Sequence, residues 1–485
     1  MYDFIVIGAG YSGLTTAALL AKEKKKILVL ESHNLIGGCA SYFKRKEFLF
    51  DVGATTFSGV KQNQPVGKIF ELLDIKPKFK KLDPGMVIIQ NEKKINRYSD
   101  QYQWINEAEN KFGTSGQNKF WEKVYRINDE VYNLISSPIT FPPSSIKDYF
   151  HLINFKNIKR VPLLYSLASS VEKALTDYDL SSNQQFTSFI DEQLLITTQN
   201  NRFDTPFLMA AMGLAYPSET YYPYGGMYKP LEAIQNSLRL NEGEIKFKEK
   251  VTSIEFNKEY IIKTERGNTY KAKGVVSSIP IWNLELITDG PIKNYFSNYS
   301  RRFNKAWGAV TLNFAIESNN QLETAYYQIH LNKRIPFCEG NSIFVSFSLD
   351  DDIERAPIGS RAVTISIHTN PNDWLNLTKD NYFERKEIVT KEILESFQKA
   401  FPEFNSSEIK HQLTGTPQTF NFYTQRHNGY VGGIPHSLQN NFFSLPKNKT
   451  PFKNFYTVGD TTFPGQGIPA VIWGALNCST IILNS

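Results

Sequence analysis

Cysteine is scarce in this sequence, and its scarcity indicates the compartment in which the chain folds. The 485 residues include 3 cysteines, too few for a disulfide framework in a chain of this length. We therefore expect the protein to fold in a reducing compartment. The 7 histidines and 3 cysteines also lack the spacing of metal ligands, so no metal partner is expected.

Long runs of one kind of residue are missing as well. The longest basic run is residues 24–26 and the net charge is +6, which does not favour a nucleic-acid partner. Residues 461–485 carry no charge, but Pro464, Pro469 and several glycines interrupt them. The helix that they allow falls short of the ~20 apolar residues needed to cross a bilayer. A buried helix explains this segment better than a membrane anchor.

A glycine-rich motif follows the first apolar run of the chain. Residues 4–13 read F-I-V-I-G-A-G-Y-S-G and hold three spaced glycines, Gly8, Gly10 and Gly13. A second apolar run, residues 27–30, ends at Glu31. Glycines at this spacing let a tight turn approach a pyrophosphate at a helix N-terminus, and the carboxylate can bind ribose hydroxyls. The order of these features predicts a dinucleotide site.

Motifs at the two ends of the chain favour FAD over a nicotinamide. Gly37 and Gly38 follow the first motif, and near the far end Gly459-Asp460 precedes an uncharged helix predicted from about Ile468. A nicotinamide site needs no such distant second half. Asp460 can hydrogen-bond the ribityl chain of a flavin, and the helix start can direct N–H groups at its anionic edge. We predict one noncovalently bound FAD.

Apolar spacing along the chain predicts further elements. Residues 104–133 and 181–213 have the periodicity of helices, and residues 251–256, 260–264 and 274–279 have that of short strands. The chain of 485 residues is long enough for two domains. We find no internal repeat and no low-complexity segment in it.

Five segments of the chain resemble the FAD-dependent carotenoid desaturases and isomerases of the phytoene-desaturase type. They span nearly the whole length in the expected order: residues 8–13, 37–56, 222–227, 416–433 and 458–470. Many members of that family carry Arg after the paired glycines, where this chain has Cys39. The G-G-C-A and N-G-Y-V-G-G stretches are most similar to the branch of carotenoid 3,4-desaturases and their isomerase cousins.

The resemblance implies an α/β fold with two domains. We expect a Rossmann-type FAD-binding domain of the amine-oxidase and phytoene-desaturase kind, assembled from residues 1–75, 225–290 and 445–485. Between these pieces, residues 76–224 and 291–444 should form an inserted substrate domain with a mixed sheet. The first of the two inserted pieces should also carry a helical lobe that associates with a membrane.

The resemblance also implies the residues of the site. We expect FAD contacts from Gly8, Gly10, Ser12, Gly13, Glu31, Ser32, Gly37, Gly38, Cys39, Ala54, Thr55, Val251, Gly459, Asp460, Gly467, Ile468 and Pro469, with the backbone of Val251 pairing with the adenine. Candidates on the substrate side are Tyr224, Gly226, Met227 and His427, and Asp51 lies in a segment near the cofactor. No catalytic acid or base can be named. Four histidines outside the motifs are interpreted as structural or exposed: His330, His368, His411 and His436.

The branch implies 3,4-desaturation of a carotenoid, on an acyclic end that already carries a hydroxyl. Such a substrate is long and apolar, so we expect a hydrophobic tunnel with few polar groups, and 14% of the chain is aromatic. The reduced flavin should pass its electrons to oxygen or a membrane quinone. Three alternatives stay open: a carotenoid cis–trans isomerase using reduced FAD, a flavin amine oxidase, and a flavoprotein that binds an isoprenoid without converting it.

Residues 141–175 interleave basic side chains with bulky apolar ones. This pattern is as typical of a helix in a membrane interface as of a helical lobe with a solvated basic face. The resemblance favours the membrane because carotenoids dissolve there. We therefore expect a cytoplasmic protein attached peripherally to the membrane. Because the dinucleotide pattern already begins at Asp3, we expect no signal or transit peptide.

Charge reversal tests the membrane surface. Changing Lys156, Lys159 and Arg160 together to Glu should weaken binding to anionic vesicles, because each lost basic contact costs ~1 kcal/mol near a charged surface. Sedimentation with vesicles measures the effect. Reversal of residues 24–26, a basic run predicted in a solvated loop, is the matched control and should change sedimentation little. Equal sedimentation of both variants and the parent protein would contradict this docking surface.

Overall fold

Two seven-stranded sheets organise the protein and confirm the predicted α/β fold class. The computed structural model describes residues 1–135, 161–317 and 320–485. The strands of the first sheet are β1 (Tyr2–Ile7), β2 (Ile27–Leu30), β9 (Glu244–Lys246), β10 (Val251–Asn257), β11 (Glu259–Thr264), β12 (Thr269–Ser277) and β18 (Phe455–Thr457). They lie in the order β10-β11-β12-β1-β2-β9, and β18 also pairs with β12.

The first sheet is covered on both faces, which explains its apolar centre. Strands β1, β2 and β12 pair in parallel, and every residue of β2 is buried. One face packs on α1 (Tyr11–Lys22), α2 (Pro65–Leu73), α9 (Tyr228–Leu240) and α14 (Ile468–Leu483). The other packs on α10 (Ile281–Ile287) and α11 (Gly290–Arg302). The strands of this sheet come from three separate stretches of the chain, which carry β1 and β2, β9 to β12, and β18.

The second sheet is mostly antiparallel. Its strands are β6 (Met86–Gln90), β7 (Lys93–Arg97), β13 (Gly308–Glu317), β14 (Tyr326–His330), β15 (Glu339–Phe347), β16 (Ser360–Thr369) and β17 (Ile409–Gly415), in the order β17-β13-β16-β15-β14-β6-β7. Alternate residues of β13, including Val310, Leu312 and Phe314, pack in one core with Val389 and Ile393 of α12 (Lys379–Ala400). Since side chains alternate along a strand, the residues between them face the other side of the sheet.

Smaller elements join the two sheets. Two antiparallel pairs of strands are formed by β3 (Tyr42–Arg45) with β4 (Phe48–Asp51) and by β5 (Phe79–Lys81) with β8 (Tyr221–Pro223). Helix α13 (Pro417–Thr424) begins in a capping box made by Thr416 and Thr419.

Helices form a lobe beside the second sheet. They are α3 (Gln101–Phe112), α4 (Gln117–Ile135), α5 (Val161–Ala168), α6 (Val171–Asp177), α7 (Gln184–Thr197) and α8 (Phe207–Ala215). The two long helical predictions are each divided in the structure. Gly113 and Gly116 have φ of 93° and 71° between α3 and α4, and a Cβ on Gly116 would lie 1.9 Å from the carbonyl oxygen of Tyr178. These glycines end the predicted helix because the chain turns sharply against α6.

A buried arginine ties this lobe to the sheet. The guanidinium of Arg97, at the end of β7, lies 3.9 Å from the ring centroid of Trp104 and 4.9 Å from that of Trp121. It donates a hydrogen bond to the carbonyl oxygen of Leu214 in α8. Burial lowers the pKa of Arg97 to about 10, so the group stays charged, stabilised by the aromatic faces.

The predicted membrane segment lies largely outside the described residues. Of residues 141–175 the structure describes those from residue 161 onward, which form α5 and the start of α6. The basic residues Lys147, Lys156, Lys159 and Arg160 are not among them. Among the described helices, none is long and apolar enough to cross a membrane.

A buried ion pair connects the hairpin β3–β4 to the second sheet. Nη2 of Arg355, in the loop before β16, lies 3.0 Å from Oδ2 of Asp51, and both side chains are 1% exposed. The other oxygen of Asp51 accepts the N–H of Met227 at 2.9 Å, just before α9. Burial alone would lower the pKa of Arg355, but the Asp51 carboxylate offsets this and raises it. Asp51 therefore has a structural role.

Removing one partner of this pair should be costly. We expect Asp51→Ala to lower the free energy of unfolding by about 3–5 kcal/mol, because the Arg355 charge stays buried without a counterion. The double variant Asp51→Ala/Arg355→Met should recover most of that loss. Asp177→Ala, which breaks an exposed ion pair with Lys173, is the control and should change little. Denaturant titration measures all three, and a double variant as unstable as Asp51→Ala would contradict the ion pair's role.

Candidate active site

One cavity of about 1140 Å³ lies between the two sheets and the helical lobe. Its lining includes the glycine turn and strand ends of the first sheet, one face of the second sheet, helices α4, α5 and α8, strand β3 of the hairpin, and helices α13 and α14. The fourteen predicted cofactor residues on this lining are Gly8, Gly10, Ser12, Glu31, Ser32, Gly37, Gly38, Cys39, Ala54, Gly459, Asp460, Gly467, Ile468 and Pro469. The cavity therefore brings the two terminal motifs together.

The glycine turn between β1 and α1 leaves room for a ligand at one position. A Cβ on Gly8 would lie 2.6 Å from Oγ of Ser278, and one on Gly13 would lie 2.2 Å from the carbonyl oxygen of Gly8. These two glycines are needed for close packing within the protein. A Cβ on Gly10 would meet no protein atom within 4 Å. Gly10 caps α1 without a side-chain hydrogen bond, so the open space meets free N–H groups and fits a pyrophosphate.

Glu31 closes the same turn from the end of β2. One of its carboxylate oxygens accepts the N–H of Ala9 at 2.7 Å, and the other accepts the N–H of His33 at 2.8 Å. Its side chain is buried yet lines the cavity. The carboxylate is thus held in place by backbone donors, with lone pairs left for the hydroxyls of a ribose.

Two crossing segments form the next part of the wall. Gly37 donates its N–H to the carbonyl oxygen of Ala9 at 3.0 Å, and Ala54 donates to that of Cys39 at 3.1 Å. Gly38 has φ of 56° and an open position where a Cβ would stand. Burial raises the pKa of the Cys39 thiol, opposed by the nearby Arg426. The thiol is therefore protonated at neutral pH, which makes it a poor nucleophile.

Asp460 is held by an arginine that the sequence did not single out. Oδ2 of Asp460 accepts a hydrogen bond from Nη2 of Arg426 at 2.7 Å. Burial opposes the charge of Arg426, but Asp460 offsets it and raises the pKa of the guanidinium. Helix α14 begins after Gly467, where φ is 92° and a Cβ would meet nothing within 4 Å. The N-terminus of α14 has no side-chain cap and therefore faces open space near the Asp460 carboxylate, whose charge is balanced by Arg426.

Several predicted residues lie away from this wall. Gly13 stands behind the glycine turn, and Thr55 lines a side cavity of about 160 Å³ instead. Val251 is buried at the start of β10. None of the substrate-side candidates lines the cavity, where the described residues alone are considered: Tyr224, Gly226, Met227 and His427.

Local contacts explain why those candidates lie outside the cavity lining. The Tyr224 hydroxyl donates a hydrogen bond to Asp351 at 2.7 Å, and the N–H of Met227 donates one to the buried Asp51. A Cβ on Gly226 would lie 2.9 Å from Oδ1 of Asp51, so this glycine gives room to the ion pair. His427 packs against Tyr430, with ring centroids 5.9 Å apart. The motif around residues 222–227 therefore supports the fold rather than the cavity surface.

Two of the histidines interpreted as structural or exposed line the cavity. His368 lies on β16 and His436 in the chain segment after α13, and burial lowers the pKa of each to about 4. Both are therefore neutral at physiological pH. The alternation of β16 was the available signal, because Ile365 and Ile367 face the core and place His368 on the other side.

The helical wall is mostly aliphatic. It presents Val131, Leu134 and Ile135 from α4, Leu163 and Leu167 from α5, and Leu208, Met209 and Met212 from α8. These side chains offer no hydrogen bond, and Asn128 and Tyr132 of α4 add polar groups, so most of this wall suits an apolar ligand. The aromatic lining expected from composition is sparser than the aliphatic one on these helices.

Comparison with known proteins decides the family. The model of the flavin containing amine oxidoreductases matches residues 11–483. The chain belongs to this flavoenzyme family. It is 27% identical to the chloroplastic prolycopene isomerase of Daucus carota over 99% of this chain and 79% of that protein. It is 22% identical to a 4,4'-diapophytoene desaturase of Methylomonas sp over 96% of this chain and 92% of that protein.

These relatives confirm the predicted resemblance to FAD-dependent carotenoid desaturases and isomerases. The fold also matches an oxidoreductase from Methanosarcina mazei, with a TM-score of 0.64, 15% identity and coverage of 99% of this chain and 100% of that one. The flavoenzyme is thus an FAD-dependent oxidoreductase, and the open positions at Gly10, Gly38 and Gly467 fit that cofactor. No cluster of metal-ligating side chains occurs in residues 1–135, 161–317 and 320–485.

The two kinds of glycine should respond differently to substitution. Gly10→Val should abolish FAD binding with little loss of apoprotein stability, because its side chain enters the ligand space and meets no protein atom. Gly13→Val should instead lower the melting temperature of the apoprotein, since the new side chain clashes with Gly8. Flavin absorbance per protein and thermal melts of apoprotein measure both effects. A Gly10→Val variant that purifies with full flavin would contradict this placement.

Proposed function

We propose that this flavoenzyme is a carotenoid desaturase that introduces a double bond at the 3,4 position, on an acyclic end that already carries a hydroxyl. The observation that carries the proposal is the aliphatic wall of α4, α5 and α8, which is continuous with the cofactor cavity. A long hydrocarbon could lie along this wall and reach the flavin without leaving the protein. The desaturase relative, named for an isoprenoid substrate, gives further support.

The proposed reaction does not depend on charged side chains. Bound FAD would supply the acceptor for a hydride from a C–H bond beside the polyene. The task of the protein is then to hold one C–C bond in place and to exclude water, which the aliphatic wall does by packing. Positive charge that develops along the polyene would be stabilised by aromatic rings elsewhere on the cavity lining, such as those of Tyr216 and Trp473, by ~1 kcal/mol each.

An amine oxidase reaction is less well supported by the charges on the wall. The acidic residues that line the cavity in the described part of the chain each have a partner already. Glu31 accepts backbone N–H groups, Glu219 pairs with Lys61, and Asp460 pairs with Arg426. Of these three carboxylates Glu31 alone lacks a cationic partner, and it lies at the glycine turn where the ribose is expected, so no carboxylate of this lining is left to replace the hydration of a cationic amine. A neutral hydrocarbon needs none.

Isomerisation of a carotenoid is the second candidate. The prolycopene isomerase relative is more similar to this chain than the desaturase relative is, at 27% against 22% identity. The same wall would hold either substrate, because both reactions place a polyene against the flavin. The two reactions differ in the oxidation state of the product.

The setting of the reaction is also proposed. A peripheral position on the cytoplasmic face of a membrane would give access to a substrate that dissolves in lipid. Oxygen or a membrane quinone would then accept the electrons. Support comes from the basic and apolar pattern of residues 141–175.

Product mass separates the two candidates. Purified protein with oxidised FAD and a 1-hydroxylated acyclic carotene should give a product lighter by two hydrogens, with absorption shifted to longer wavelength by the added conjugation. Liquid chromatography with mass spectrometry checks the result, and protein carrying Gly10→Val is the flavin-free control. The same assay is repeated without oxygen and with reduced FAD, where a product of unchanged mass and altered geometry would replace desaturation by isomerisation. No change in any carotenoid with either oxidised or reduced FAD would refute both.

A further inference from the structure

The second sheet presents polar side chains to the cavity, opposite in character to the helical wall. Strands β13 and β16 are neighbours, with Thr311 paired to Ser366 and Ala309 paired to His368. Thr311, Asn313, Ser366 and His368 all line the cavity. We call these four residues the polar strip.

The polar strip is the part of this face that lines the cavity. Further along the same face, Ala315 and Ala362 pack against Phe48 and Phe50 in an apolar cluster. Between these two regions Thr364 and Ser346 are buried and hydrogen-bonded to Asn313 and Thr55, so the strip differs from them in facing the space where a ligand would lie. Polar groups at such a position need a partner to offset their loss of water.

Within the described residues, the strip has hydrogen-bonding capacity left over. Oδ1 of Asn313 accepts a hydrogen bond from Thr364 at 2.9 Å. Neither the hydroxyl of Ser366 nor the ring of His368 has a hydrogen-bond partner in that part of the chain. His368 is neutral because burial lowers its pKa to about 4, so its ring offers one donor and one acceptor. No member of the strip carries a formal charge at neutral pH.

A side cavity extends the strip. Ser366 and His368 also line the adjacent space of about 160 Å³, together with Thr55, Gln193 and Ser342. This space has room for several atoms of a substrate end with an accompanying water. A polar end group would thus reach more than one hydrogen-bonding side chain.

We propose that the polar strip binds a hydroxyl at one end of a long apolar substrate, while the hydrocarbon chain of that substrate lies against the helical wall. The inference rests on the proposed function for the class of substrate, and it adds the residues that select the end group. Ser366 and His368 can each donate to and accept from a hydroxyl, which a plain hydrocarbon end cannot match. The strip is therefore the determinant of specificity for a hydroxylated end.

Equilibrium binding tests the strip independently of turnover. The probes are a 1-hydroxylated acyclic carotene and the carotene of the same chain without the hydroxyl, added in detergent to the FAD-loaded protein. Quenching of tryptophan fluorescence gives the two dissociation constants. We expect the parent protein to bind the hydroxylated probe about tenfold more tightly, as one or two satisfied buried hydrogen bonds allow.

Substitutions in the strip should reduce that preference. Ser366→Ala and Thr311→Val should each lower it about threefold and His368→Phe should remove it, whereas His368→Gln should keep part of it because a donor and an acceptor remain. Leu167→Ala in the helical wall is the matched control. It should weaken binding of both probes by the same factor and leave the preference unchanged.

The outcomes separate the strip from the proposed reaction. Equal binding of both probes by the parent protein, or an unchanged preference in all the strip variants, would overturn the inference. Tighter binding of a carboxylic acid of the same chain would also overturn it and move the determinant to the charge of Lys386, which lines the same cavity. A preserved preference for the hydroxyl without conversion of any carotenoid would support the strip and refute the proposed function.

Discussion

The buried pairing of Asp51 with Arg355 is the contact on which the geometry of the site depends. Asp51 is the last residue of the hairpin β3–β4, which leads into Gly53 and Ala54, and Arg355 precedes β16. The Asp51 carboxylate also accepts the N–H of Met227 before α9. Three stretches that are distant in sequence are thus fixed at one point. Phe48 and Phe50 of the same hairpin pack against Ala315 and Ala362 of the second sheet, so the ion pair adds a directional contact to an apolar one. Together they set how the hairpin, which leads into the cavity wall, meets the second sheet.

The walls of the cavity differ in chemical character, and each suits a different part of its ligands. The first sheet supplies glycines, a helix start and paired charges, which suit the phosphates and polar edges of FAD. The helical lobe supplies an aliphatic surface, and Arg97 ties that lobe to β7 through the carbonyl oxygen of Leu214. The polar strip on the second sheet completes the enclosure. A ligand that satisfied all three walls would be long, mostly apolar and polar at one end.

The sequence predicted what local patterns encode. Gly8, Gly10, Glu31 and Gly459-Asp460 were singled out from their spacing next to strands and helices, and all of them line the cavity. Arg426 was missed, because an ion pair with a residue 34 positions away produces no recognisable motif in the sequence. His368 was missed since only the pairing of β13 with β16 shows what its face meets. Tyr224, Gly226 and Met227 were predicted on the substrate side. A sequence motif shows that residues are neighbours along the chain, but it does not show whether their side chains face the cavity or the protein interior.

The three-piece origin of the first sheet has a consequence for synthesis of the protein on the ribosome. Gly10 and Glu31 are made well before β18, Asp460 and α14. At ~5–20 residues per second, roughly 20–90 s separate the two halves of the cofactor site. During that interval β12 lacks one of its neighbours and the apolar face destined for α14 is uncovered. The two halves of the cofactor site can therefore meet only after all the segments between them have been made, and until then the uncovered apolar face is open to association.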